Sequence, residues 1–119
     1  ATTVNTGDAY FHYTFNDNNT EAVHTATLPT AANAGAGRMY LFTVLDWGNT
    51  AGGAGPQYVK IARAGSDTIH IRAVPAGTAT IQNYNNSVMV GLMLISDGSS
   101  KWYEVNCGGD PSYYGWEQA

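Results

Sequence analysis

Ser87-Val88-Met89-Val90-Gly91-Leu92-Met93-Leu94-Ile95-Ser96-Asp97-Gly98-Ser99-Ser100-Lys101-Trp102-Tyr103-Glu104-Val105 decides the fold. Val88, Val90, Leu92 and Leu94 fall on one side of an extended chain, and Met89, Met93 and Ile95 on the other. A spacing of two is the pleat of a β-strand and not the turn of a helix. Asp97-Gly98 is a tight-turn signal, after which Lys101 to Val105 resumes the alternation. Within that last strand Trp102 shares its side with Glu104, and Tyr103 with Val105. One ring is therefore expected in the core and the other at an interface between subunits. Truncating the buried one to Ala should remove roughly 3–5 kcal/mol.

Working toward the N-terminus, the same pattern recurs in short runs separated by Gly, Asn, Asp, Ser and Pro. Tyr10 to Phe15 sets Phe11, Tyr13 and Phe15 against Tyr10, His12 and Thr14. Val23 to Leu28 alternates and is stopped by Pro29. Arg38 to Leu45 is apolar almost throughout, the pattern of a strand covered on both faces. Gln57 to Arg63 turns Val59 and Ile61 inward, Thr68 to Ala73 does so with Ile69 and Ile71, and Thr78 to Tyr84 is a weaker repeat. With no helical period of useful length, about eight strands at this spacing predict an all-β domain, an antiparallel β-sandwich of jelly-roll type. The expected division is an N-terminal arm over residues 1–9, the sandwich over 10–105 and an aromatic tail over 106–119.

Composition narrows the function. Of 119 residues 44 % are hydrophobic and only 12 % charged, about half the usual charged share. A surface so poor in charge suits a subunit covered by partners better than a free monomer. Five Lys and Arg against nine Asp and Glu leave a net charge of −4. Lys60, Arg63 and Arg72 are the nearest approach to a cationic cluster, which excludes nucleic acid as the main partner and a polybasic membrane patch on the same count. The run Val88 to Ile95 is too short to span a bilayer. The single Cys107 cannot form an internal disulfide, which fits synthesis in a reducing cytosol. The opening Ala1-Thr2-Thr3 suits removal of an initiator Met and suggests a nearly complete small gene product.

No catalytic constellation stands out. Most of the acids, Asp67 and Asp97 among them, sit where carboxylates form turns and stay solvated. His12 and His24 could meet across paired strands, but zinc needs three or four converging ligands. Cys107 lacks an activating helix N-terminus. Gly52-Gly53-Ala54-Gly55 lacks the Lys and the following helix of a phosphate-binding loop. No cofactor or metal site is expected. The residues that stand out are aromatic: Tyr10, Phe11, Tyr13, Trp47, Tyr113, Tyr114 and Trp116 as partner-binding groups, with Trp102 and Tyr103 as core and interface. Trp47, beside the Gly-rich segment Asp46 to Pro56, is the first candidate for a sugar platform, with Tyr58 and Trp116 ranked after it.

An ordered set of short motifs runs from Val23 to Val105: Thr27-Leu28-Pro29, then Gly37-Arg38-Met39-Tyr40, Val59-Lys60-Ile61, Gly65-Ser66-Asp67-Thr68-Ile69, and the closing segment through Ser96-Asp97-Gly98-Ser99-Ser100-Lys101-Trp102-Tyr103. The set resembles a domain type that recurs in tailed-phage structural proteins, namely tail fibres, spikes and small capsid or decoration proteins. The resemblance implies a small jelly-roll-like sandwich, a homotrimer, exposed on a virion and without catalysis. The Gly-rich insert after Trp47 is longer than that pattern has, and the aromatic C-terminal tail is additional, favouring a docking contact. The expected function is thus a capsid decoration (cement) protein, at the capsid surface, whose partners are its own copies and the major capsid protein. The alternative is a receptor-binding head of a tail fibre or spike that recognises host glycan.

Overall fold

Alternation in the sequence becomes alternation in space. The computed structural model describes residues 2–15, 22–46, 57–83, 89–105 and 116–119. Strands are β1 (Thr2–Thr3), β2 (Tyr10–Phe15), β3 (Ala22–Thr27), β4 (Met39–Asp46), β5 (Gln57–Ala62), β6 (Thr68–Ile71), β7 (Val74–Thr78), β8 (Thr80–Asn83), β9 (Met89–Ser96), β10 (Lys101–Glu104) and β11 (Trp116–Gln118), with one short helix, α1 (Ala31–Ala34), between β3 and β4. They form a five-stranded sheet of order β1-β3-β5-β8-β11 and a six-stranded sheet of order β2-β4-β9-β10-β6-β7.

The inward residues of both sheets share one core. Ala26, Val59, Ile61, Ile81 and Trp116 come from the first sheet, and Tyr40, Phe42, Ile69, Leu94 and Trp102 from the second. Aromatic rings fill its middle. Tyr40 lies 5.5 Å from Trp102 between ring centres, and Phe11 stacks on Phe42 at 5.0 Å. The architecture is β-rich and sandwich-like.

The sheets are mixed and not antiparallel throughout, a departure from the all-antiparallel connectivity of a jelly roll. Among the described residues β1–β3, β3–β5, β2–β4 and β6–β10 pair in parallel. The cause is the path of the chain. Successive strands reverse direction, but β1 to β5 step from one sheet to the other at every reversal. A strand that returns to its sheet after two reversals runs the same way as the one it left. For the same reason β2 and β3 lie in different sheets, so His12 and His24 do not face each other across a strand pair.

Three strands had no counterpart in the sequence pattern. Thr2–Thr3 pairs with β3, and the next residue, Val4, is buried and donates its N–H to the Thr27 carbonyl at 2.8 Å. Tyr40 and Arg38 hold this segment from the other side, through the Asn5 and Asp8 carbonyls. The residues expected as an arm therefore pack on their own chain. Val74–Thr78 adds a strand beside β6, and Trp116–Gln118 adds one beside β8.

One corner is held by polar groups from three segments. Thr30 caps α1, accepting the Asn33 N–H. Asp67, almost fully buried, accepts the Ala31 N–H at 2.7 Å. The Ser96 hydroxyl donates to the Ala31 carbonyl and accepts the Gly98 N–H, both at 2.9 Å. Gly98 has φ +79°, and a Cβ there would stand 2.8 Å from Ala36 backbone nitrogen, so only glycine fits. Asp97 closes the turn by accepting the N–H groups of Ser99, Ser100 and Lys101. Those bonds favour the charged carboxylate and hold its pKa below the ordinary value.

Candidate functional site

Each sheet turns one face away from the core, and the two faces differ in chemistry. On the five-stranded sheet a row of paired residues crosses four strands: Thr25, Lys60, Gln82 and Glu117. Gln82 donates to the Glu117 carboxylate at 2.6 Å, so this row is polar, while beside it Val23, 48 % exposed, pairs with Tyr58. The matching row on the six-stranded sheet is Met39, Ile95, Tyr103 and His70. A second row beside it runs Tyr10, Leu41, Met93. Tyr10, Met39 and Tyr103 are 56, 45 and 40 % exposed, the largest apolar exposures of that sheet.

The apolar face is preformed. His70 donates from Nδ1 to the Pro75 carbonyl at 3.0 Å, which leaves Nε2 of the neutral ring to accept from the Thr68 hydroxyl at 2.8 Å. Its ring stacks on Tyr103 with centres 5.1 Å apart. Gly77 makes room for that ring, since a Cβ there would come within 2.7 Å of it. The third row on this face is His12, Thr43 and Gly91, and the register continues beyond it with Thr14, Leu45 and Met89.

The residues singled out from sequence divide accordingly. Tyr10 lies on this outer face, whereas Phe11 points the other way and packs against the core. Tyr13 sits in β2 opposite Val44. Trp102 is fully buried and Tyr103 is exposed on the outer side of the same strand. Trp116 is not available to a partner: its ring is buried within its own chain and its Nε1 donates to the Gly91 carbonyl at 3.3 Å. Trp47, Tyr113 and Tyr114 lie outside the described residues, as do Cys107 and residues 47–56 of the Gly-rich segment. The two aromatics ranked after Trp47 as sugar platforms lie in different surroundings. Tyr58 belongs to the outer face of the five-stranded sheet, and Trp116 to the core. Sequence reasoning passed over Met39, Leu41, Met93 and Ile95, although the unbroken apolar run of β4 was the signal for them.

The carboxylates whose side chains are described have structural work. Asp8 accepts the Asn5 N–H, Asp67 and Asp97 hold the corner, and Glu117 holds Gln82. Glu104 accepts the Arg72 N–H at 2.7 Å and pairs with its guanidinium at 3.3 Å. Asp67 is a turn residue but not the solvated one expected, because α1 covers it and uses its charge. Among the described residues no three His, Cys, Asp or Glu side chains converge as metal ligands, and no helix is long and apolar enough to cross a membrane. Comparison with known proteins returns no matching family model, no matching curated protein and no matching solved structure.

Proposed function

We propose that the chain is a non-enzymatic structural subunit that works by assembly: a homotrimeric virion module, its copies joined through the outer face of the six-stranded sheet, that decorates and stabilises a phage capsid. One observation carries the assembly surface. β4 has the apolar pattern of a strand buried on both sides, yet its own chain covers only the side of Tyr40, Phe42 and Val44. Met39 and Leu41, with Met93 and Ile95 beside them on β9, are left facing outward. Natural monomers rarely leave such a face to water.

The size is adequate. Six strands about 4.8 Å apart, four of them only four to six residues long, give a face on the order of 600 Å², at the lower end of the roughly 600–1,000 Å² per partner of a stable interface. The virion assignment rests on the ordered motifs from Thr27 to Tyr103. A subunit that binds assembled shell and not free capsid protein stabilises the shell by linkage.

The test is cosedimentation of the purified chain with undecorated capsids and, separately, with host cells. Binding to capsids with a raised capsid melting temperature is the expected result. Adsorption to cells alone would assign it instead to a glycan-binding fibre or spike head, and binding to neither would end the reading.

A further inference from the structure

Two strand positions along from the Tyr10–Leu41–Met93 row, the outer face changes its chemistry. We propose that Tyr10, His12, Thr43 and Gly91 form a shallow binding site for a neutral sugar ring. The rings of Tyr10 and His12 are both exposed, their planes lie within 8° of parallel, and their centres are 6.4 Å apart. One hydroxyl orients both. Thr43 Oγ1 lies 2.9 Å from the Tyr10 hydroxyl and 2.6 Å from His12 Nδ1. Two aromatic faces held in place before a ligand arrives lose little freedom when one stacks on them.

Gly91 supplies the floor. It is exposed, lies within an eight-residue strand and pairs with Thr43. Its backbone is not left-handed. A methyl group there would meet, among the described residues, only the Phe42 carbonyl at 3.8 Å and Thr43 Cγ2 at 3.9 Å, which is ordinary contact. Neither backbone conformation nor packing explains the glycine, although glycine weakens a strand interior. What its missing side chain provides is close approach to the backbone, on a carbonyl fixed from beneath by Trp116 Nε1.

The surroundings select the ligand. The rows His12–Thr43–Gly91 and Tyr10–Leu41–Met93 contain no Asp, Glu, Lys or Arg, so an anion or cation finds no counter-charge within them. A purely apolar ring would cover the Tyr10 and Thr43 hydroxyls without answering their remaining hydrogen-bonding capacity. A pyranose has an apolar C–H face for the aromatic rings and a rim of hydroxyls for the polar groups. The site is independent of whether the chain docks on a capsid.

The experiment is a titration of the ¹⁵N-labelled chain with glucose, galactose and N-acetylglucosamine, read by amide chemical shifts. At least one of these sugars is expected to give saturable shifts at Tyr10, Thr43 and Gly91, with none at Thr25 and Gln82 on the opposite sheet. Gly91→Ala, which the fold has room for, should keep the melting temperature and weaken binding about tenfold, as should Tyr10→Ala. If Tyr10→Ala lowers the melting temperature, Gly91→Ala decides alone. The proposal is overturned by the absence of saturable shifts with all three sugars, or by wild-type affinity in Gly91→Ala. It is equally overturned if these amides become protected with rising protein concentration and no sugar, because a second copy then occupies the corner.

Discussion

Replacing Trp116 by Ala tests whether the C-terminal strand is part of the core. The ring is 1 % exposed and packs with residues of both sheets. A tryptophan buries about 150–250 Å², which at about 25 cal/mol per Å² is roughly 4–6 kcal/mol, an upper bound because unfolded chains already bury part of it. Measured truncations of this kind fall near 3–5 kcal/mol, and β11, only three residues long, has little else to keep it paired with β8. The expected loss is about 4 kcal/mol, a large share of the roughly 5–15 kcal/mol of a typical domain. Urea unfolding followed by circular dichroism and by the fluorescence of the buried Trp102 reads it directly. Trp116→Phe keeps most of the ring but loses the bond to the Gly91 carbonyl, and should lose about 1–2 kcal/mol. A loss below about 1 kcal/mol in Trp116→Ala would show that the strand is peripheral and refute the reasoning.

Other expectations concern the polar corner. Asp67→Ala leaves the buried Ala31 N–H without its acceptor and should lower stability by about 1–3 kcal/mol in the same urea assay. Gly98→Ala combines a left-handed backbone with a contact of 2.8 Å to Ala36, and should lose at least about 2 kcal/mol while Gly91→Ala loses under about 1 kcal/mol. Asp97 has a lowered folded pKa, so its contribution is present above the ordinary carboxylate range and disappears as pH falls through the folded value. The stability difference between wild type and Asp97→Asn should therefore shrink on acidification below about pH 4 and stay constant above it.

The strands with clean alternation were legible because burial on one face imposes a period of two wherever the strand is long enough to show it. β1 and β11 span two and three residues, too few for a period, and β7 carries Pro75 and Gly77, which read as a turn. Parallel pairing was not legible, since nothing local in Tyr10–Phe15 announces that its neighbour is β4, a strand reached only after crossing the other sheet. The motifs most recognisable in the sequence, from Leu28 through Asp67 to Ser96 and Gly98, turn out to build a single corner and the core beside it. They speak to the fold. The outer face was half legible: the apolar run in β4 implied a second cover, but which side the chain would leave open depends on the five-stranded sheet. Gly91 gave no signal alone, because a glycine in a strand acquires meaning only beside Thr43, Tyr10 and His12.

The claim that this protein assembles through the Met39–Ile95–Tyr103 face is tested most directly by light scattering on the size-exclusion peak of the wild type and of Met39→Lys/Ile95→Lys. Both positions point away from the core, so the variant should keep its circular-dichroism spectrum. The account predicts three chains per particle for the wild type at micromolar concentration and a folded single chain for the variant. A wild-type monomer, or a variant that still assembles, would contradict it.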